Sequence, residues 1–257
     1  MTLHQQKRQT KRQKRISNQD GTSENQPRRG DQNQQSRMIT MKEDITPMTK
    51  NQEIAFDYWD DGYNIMLHGI AGTGKTFLGM YFAIKEVLKT DSPYKKVYII
   101  RSTVSTRDQG FLPGSQKDKA KVFESPYIPI ATKFFGRGDA YDVLKSKGYV
   151  DFVTTSYLRG ETFDNCILLV DEIQNMSDGE LHTVMTRVGE NCRIIFCGDV
   201  KQDDLTSERK KELSGLRTFM QIIRRMDEFE FIDFQVEDIV RSKLVKSYII
   251  QRDKLDL

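Results

Sequence analysis

The sequence predicts an α/β fold with a mostly parallel sheet flanked by helices, and three observations point to it. Short apolar runs alternate along the chain with segments of helical spacing, the pattern of strands joined by helical crossovers. One run, Cys166-Ile167-Leu168-Leu169-Val170, is apolar without alternation, as a central strand covered on both faces requires. A glycine-rich turn, Gly69-Ile70-Ala71-Gly72-Thr73-Gly74-Lys75-Thr76, joins the first such run to the first helical segment.

In chain order, residues 1–40 read as a disordered, basic, glutamine-rich tail and residues 41–257 as one domain. The first 37 residues hold nine Lys/Arg, three acidic side chains and nine glutamines, with no aromatic residue. They carry net +6 against +3 for the whole chain, which leaves −3 for residues 38–257. The positive field is local, so overall charge is a poor guide to nucleic-acid binding. The tail's Lys/Arg pairs suit either sequence-independent phosphate contacts or a solvated arm. No apolar stretch of roughly 7–15 residues follows the basic cluster, so a secretory signal is not expected. Nor is any run long enough to span a membrane. A cytoplasmic setting follows as the expectation, with Cys166, Cys192 and Cys197 as buried free thiols.

Strands are expected at residues 65–67, 96–100, 150–154, 167–170, 193–197 and 230–234. Phe77, Met80, Tyr81, Ile84 and Leu88 recur at helical spacing after the first of them. Between residues 101 and 135 the pattern dissolves into Gly110-Phe111-Leu112-Pro113-Gly114 and a stretch with Lys117, Lys119 and Lys121. A loop that long inside a compact domain is commonly functional. His4, His68 and His182 are too few and too scattered for a metal cluster.

The turn at 69–76 fits G-x-x-x-x-G-K-[ST] at every fixed position. Such a loop aims backbone N–H groups inward as an anion nest, and the helix that follows adds its dipole. Lys75 would reach the β/γ-phosphates of a bound nucleotide, and the Thr76 hydroxyl would ligate Mg²⁺. The run 167–170 leads into Asp171-Glu172, two carboxylates at the carboxyl edge of the sheet, where ligands bind in such folds. Asp171 has the place of a Mg²⁺-holding acid and Glu172 that of the residue that orients and deprotonates water. A water-activating glutamate argues against a small-molecule kinase. The absence of an N-K-x-D segment argues against a guanine nucleotide. Gln202, in the turn Gly198-Asp199-Val200-Lys201-Gln202, is placed to sense the γ-phosphate.

Taken together with further motifs, these residues resemble the PhoH family of phosphate-starvation-inducible P-loop ATPases, in a short phage-type form. The matching segments are Thr49-Lys50-Asn51-Gln52, the loop at 69–76, Arg101-Ser102-Thr103-Val104, and Gly110-Phe111-Leu112-Pro113-Gly114. They continue with Leu158-Arg159-Gly160-Glu161-Thr162-Phe163, Val170-Asp171-Glu172-Ile173-Gln174-Asn175, Thr186-Arg187-Val188-Gly189, Gly198-Asp199-Val200-Lys201-Gln202 and Asp238-Ile239-Val240-Arg241-Ser242. The resemblance runs from about residue 45 to 245 and implies a RecA-like core with ATP as the nucleotide. It further implies that Gln52 contacts the adenine edge, that Asp171-Glu172-Ile173-Gln174 is the hydrolysis motif, and that Arg241 stabilises transition-state charge. Single-stranded RNA or DNA is the implied partner. One departure is Ser102, where many members have proline.

The related helicases clamp ATP between two RecA-like domains, and this chain has room for one. The expectation is therefore a homo-oligomeric ring, a hexamer, with Arg241 or Arg187 supplied by a neighbour. The alternative is an ATP-dependent regulatory or binding module that does not translocate on nucleic acid.

Overall fold

The computed structural model describes residues 39–42, 44–102, 121–158, 160, 162–199 and 210–255. All six expected strands form: β1 (Asn64–Gly69), β2 (Lys96–Arg101), β3 (Val150–Thr154), β4 (Cys166–Val170), β5 (Cys192–Gly198) and β6 (Phe229–Phe234). They make one sheet in the order β3-β2-β4-β5-β1-β6, and every pairing is parallel. The sheet therefore has one carboxyl edge, with β5 inserted between β1 and β4.

The longer helices among the described residues are α1 (Lys50–Asp60), α2 (Lys75–Val87), α3 (Tyr127–Phe135), α4 (Ala140–Ser146), α5 (Asp178–Thr186), α6 (Lys210–Ile223) and α7 (Lys243–Lys254). The helices α1 to α6 cover both faces of the sheet, and the strands show why. Side chains alternate across a strand, and Ile65, Leu67, Ile167 and Leu169 join one buried cluster with Ala55, Leu78, Tyr127 and Tyr141 from α1 to α4. Met66, Cys166, Leu168 and Val170 join the opposite cluster with Leu181 of α5 and Phe219 of α6. Central β4 is buried at all five positions, whereas the edge strands β3 and β6 are half-buried at several. The uninterrupted apolar run was thus a sound sign of a doubly covered strand.

Two expectations need correction. The segment between residues 101 and 135 is not irregular throughout, because helix resumes at residue 121 and α3 occupies Tyr127–Phe135. Of the expected buried thiols, Cys166 and Cys197 are buried but Cys192 is half-buried; all three are free. Residues 103–120, Arg159, Glu161 and residues 200–209, and with them Gln202 and much of the Lys-rich stretch, lie outside the described residues, as does the tail through Met38. Among the described residues no helix is long and apolar enough to cross a membrane.

Candidate functional site

The site is built on the turn from β1 into α2. Gly72 and Gly74 adopt positive φ of 82° and 90°, in the left-handed region glycine tolerates. The Thr73 hydroxyl closes the turn on Ile70 O at 3.1 Å. Three further bonds fix it from outside: Ile70 N–H to Phe234 O at 3.0 Å, Val240 N–H to Gly72 O at 3.1 Å, and the Gln52 amide to Thr73 O at 3.0 Å. The loop is thus held by β6, by the chain after β6 and by α1. Gly74 caps α2 without a side-chain hydrogen bond, leaving the first-turn N–H groups without a side-chain partner, as an anion site requires.

Lys75 folds back over this loop and donates to Gly69 O and Ile70 O, each at 2.7 Å. Burial pushes its ammonium below the ordinary lysine range, against the pull of Asp199, Cys197, Glu172 and Asp171. Thr76 donates its hydroxyl to Asp171 Oδ1 at 2.8 Å, joining the start of α2 to the end of β4 across the inserted β5. Asp171 is 3% exposed. Burial and then the neighbouring Glu172 push its carboxyl above the ordinary range, while the hydroxyls of Tyr127 and Thr76 and the charge of Arg101 draw it back.

Glu172 has a φ of 56°, a left-handed conformation rare outside glycine. A short 3₁₀ turn, Ile173–Asn175, follows it. Gln174 binds in two directions, donating to Glu172 Oε2 at 2.5 Å and accepting from Asp199 N–H at 3.1 Å. The glutamate carboxylate is therefore tied to the end of β5. Strain at a residue carrying a carboxylate beside a phosphate loop is the kind of outlier that accompanies function.

These groups line one cavity of about 540 Å³, in the range of small-molecule sites. Gln52, Gly72, Lys75, Thr76, Asp171 and Glu172 are in its wall, with Ile45, Met48, Phe77 and Val240 as apolar surface. Of the expected site residues, Gly74, Ala71 and Arg241 also line it. Gly69, Ile70 and Thr73 are buried behind the loop. Gln52 is 4% exposed, and its carboxamide holds Met48 N–H at 2.8 Å as well as the Thr73 carbonyl. A carboxamide has two donors and two acceptor positions, so these bonds use half its capacity.

Arg241 stands close to the loop. Its Cγ lies 3.1 Å from where a Cβ on Gly72 would stand, so it packs over the phosphate loop of its own chain. Arg187 is elsewhere: it caps α5, and its carbonyl accepts from Phe163 N–H at the amino edge of the sheet, opposite the cavity.

Two features were not read from the sequence. Tyr127, from α3, donates to Asp171 Oδ2 at 2.8 Å. Glu180 accepts from Ser102 Oγ at 3.0 Å, from Ser177 N–H at 2.8 Å and from the Thr155 hydroxyl, tying the ends of β2 and β3 to the cap of α5. Burial would raise its carboxyl, but the bonds from Thr155, Ser177 and Ser102 outweigh burial and hold it below the ordinary glutamate range. The departure at Ser102 thus has a structural use: a proline there would lack this hydroxyl. The capping pattern Ser177-x-x-Glu180 was the available signal for the second feature.

The family described as PhoH-like protein matches residues 44–251. A PhoH-like protein of Bacillus subtilis is 32% identical over 187 residues, covering 72% of this chain and 57% of that protein. Protein PhoH of Escherichia coli K12 is 28% identical over 206 residues, covering 78% and 57%. The chain therefore spans little more than half the length of these curated relatives. Among solved structures, the large terminase of a thermophilic bacteriophage in complex with ADP is similar at a TM-score of 0.45 and 14% identity, over 80% of this chain and 50% of that one. With the phosphate loop and the Asp171-Glu172 strand end on one cavity of a parallel sheet, the chain belongs to the PhoH family of P-loop NTPases.

Proposed function

We propose that this chain is a Mg²⁺-dependent ATPase that couples hydrolysis to single-stranded RNA or DNA as a hexameric ring. The observation that carries the hydrolytic part is the 2.8 Å bond from Thr76 to Asp171, which joins the phosphate loop to the acidic strand end within one cavity. In this reading Lys75 leaves the carbonyls of Gly69 and Ile70 for the β/γ-phosphates, exchanging neutral acceptors for charged ones. Thr76 and Asp171 are the protein ligands of the metal. Their donor set fits: both are hard oxygen donors, as Mg²⁺ prefers. Among the described residues no group of three or more His, Cys, Asp or Glu forms a cage, as suits an ion that takes its other ligands from phosphate and water. A Mg²⁺ held by Thr76 and Asp171 would supply positive charge against the developing charge of the phosphates.

Glu172 is the base that orients the attacking water and takes its proton, with Gln174 holding its carboxylate. Arg241 stabilises charge on the transferred phosphoryl group from within its own chain. Gln52 uses its remaining amide capacity on the adenine edge, and Gln202 senses the γ-phosphate.

In this reading a neighbouring subunit of the ring closes the second wall of the site. Arg187, which stands away from its own chain's cavity, is then the arginine for a neighbouring site. Three measurements test the proposal together: native mass in ATP-containing buffer, ATPase rate with Mg²⁺ against EDTA, and stimulation by single-stranded RNA and DNA. A monomer with an unstimulated rate would refute the coupled ring while leaving the ATPase standing. Absence of Mg²⁺-dependent hydrolysis would refute the ATPase.

A second reading, an ATP-dependent regulatory module, is favoured by α7. That helix buries no residue and exposes Leu244 (80%) and Tyr248 (64%), directly after Arg241. It predicts hydrolysis unaffected by nucleic acid and a protein partner whose binding depends on nucleotide.

A further inference from the structure

Asp171 is held from two sides, and only one of them belongs to the motifs above. Its Oδ1 accepts the Thr76 hydroxyl and its Oδ2 accepts the Tyr127 hydroxyl, both at 2.8 Å. Tyr127 is the first residue of α3, which starts behind Pro126; proline suits this boundary because it has no N–H to be left unpaired. The tyrosine is fully buried, at 0% exposure, with its ring 6.0 Å from that of Phe152. A buried phenol needs a partner for its hydroxyl. Here the carboxylate is that partner, and the charge of the Arg101 guanidinium, at the end of β2, acts on both groups.

The consequence is geometric. A carboxylate bound at one oxygen can swing about its terminal torsion, which is broad for aspartate. Bound at both, it has one orientation. With Oδ2 fixed by Tyr127, Oδ1 stays within reach of Thr76, and the Thr76 O–H stays directed at the carboxylate. The lone pairs of the threonine oxygen are then directed away from Asp171, towards the cavity.

We infer that Tyr127 is a positioning residue for the metal end of the site, acting through Asp171 to keep Thr76 and Asp171 arranged for a divalent cation that enters with the nucleotide. The inference rests on the metal–nucleotide reading above. It does not concern the phosphate loop, so nucleotide affinity without metal is independent of Tyr127. Outer partners of metal ligands characteristically change metal affinity by about 10–100-fold.

The test uses the full chain as wild type, Tyr127→Phe and Tyr141→Phe. The first variant removes one oxygen and keeps the ring. The second is a matched control, because Tyr141 is a buried phenol of the same cluster whose hydroxyl donates to Glu124 at 2.9 Å, away from the cavity. Mn²⁺ binding is followed by electron paramagnetic resonance with a non-hydrolysable ATP analogue present. Analogue affinity in EDTA and the unfolding midpoint are measured alongside. Tyr127→Phe should weaken Mn²⁺ binding about 10-fold with unchanged analogue affinity in EDTA, while Tyr141→Phe moves only the unfolding midpoint. Equal Mn²⁺ affinity in Tyr127→Phe and wild type would overturn the inference. So would an equal loss in Tyr141→Phe, which would mark the effect as general loosening of the core. If wild type itself binds the analogue no better with Mn²⁺ than in EDTA, the metal–nucleotide reading fails first, and the inference falls with it.

Discussion

Gly69→Ala should cost far more stability than the same change at Gly62, although both glycines have positive φ. Gly69 has φ 113° and Gly62 has φ 95°, so both substitutions strain the backbone by about 1–3 kcal/mol. The surroundings differ. A Cβ on Gly69 would stand 2.2 Å from Phe234 O and 2.8 Å from Phe234 N, whereas one on Gly62 meets nothing within 4 Å. The obstacle at Gly69 is main chain of β6, which cannot rotate aside, so overpacking adds about 1–3 kcal/mol. Moving β6 away also weakens the 3.0 Å bond from Ile70 N–H to Phe234 O, a loss of about 1 kcal/mol. The difference between the variants should thus be about 2–4 kcal/mol. With a urea slope of about 2 kcal/mol/M, the midpoint of Gly69→Ala falls about 1–2 M below that of Gly62→Ala. Because Phe234 O anchors the phosphate loop, nucleotide affinity should fall with it in Gly69→Ala alone. Coincident midpoints in urea titrations followed by circular dichroism would refute the argument that β6 clamps the loop.

Lys75→Ala should reduce turnover to background and weaken ATP binding about 10–100-fold, the worth of one charge-assisted contact, as read by calorimetry. Arg193→Ala should lower stability by about 3 kcal/mol and the thermal midpoint with it, yet leave nucleotide affinity unchanged. Its guanidinium stacks 3.4 Å from the Trp59 ring centroid and donates to Trp59 O and Tyr63 O, far from the cavity. Glu180 should make stability acid-sensitive: its folded value lies below the ordinary 4.5, so its contribution is present above that pH and is lost as pH falls through the folded value. Urea midpoints from pH 6 downward should therefore decline more steeply in wild type than in Glu180→Gln.

Much of this fold is legible because the strands differ in burial. A strand such as β4 announces itself by five apolar residues in a row, and the loop at 69–76 by fixed glycines whose φ no other residue adopts easily. Asp171 and Glu172 were legible because a strand end next to a phosphate loop has few other uses for paired carboxylates. The strand order was not legible, since pairing partners are distant in sequence; nothing in residues 192–198 says that β5 inserts between β1 and β4. Tyr127 was hidden for a related reason: the fold brings it 44 positions to Asp171, and its own surroundings, with Pro126 and Pro129, read as irregular chain. Arg241 was singled out by resemblance alone, and its place over Gly72 depends on the chain after β6 turning back to the loop, which Val240 N–H to Gly72 O records. Arg193 carries no local signal either, because its partners Trp59 and Tyr63 lie 130 or more positions away.

The central claim is that Glu172 activates water for hydrolysis of a nucleotide held by Lys75, Thr76 and Asp171. Its most direct test is a single-turnover ATP hydrolysis rate, measured with ATP affinity, in wild type and Glu172→Gln. The amide keeps the size of the side chain and a partner for Gln174 but cannot take a proton. Affinity should be retained while the rate falls about 10²–10⁴-fold, the usual contribution of a general base. A wild-type rate in Glu172→Gln would contradict the account.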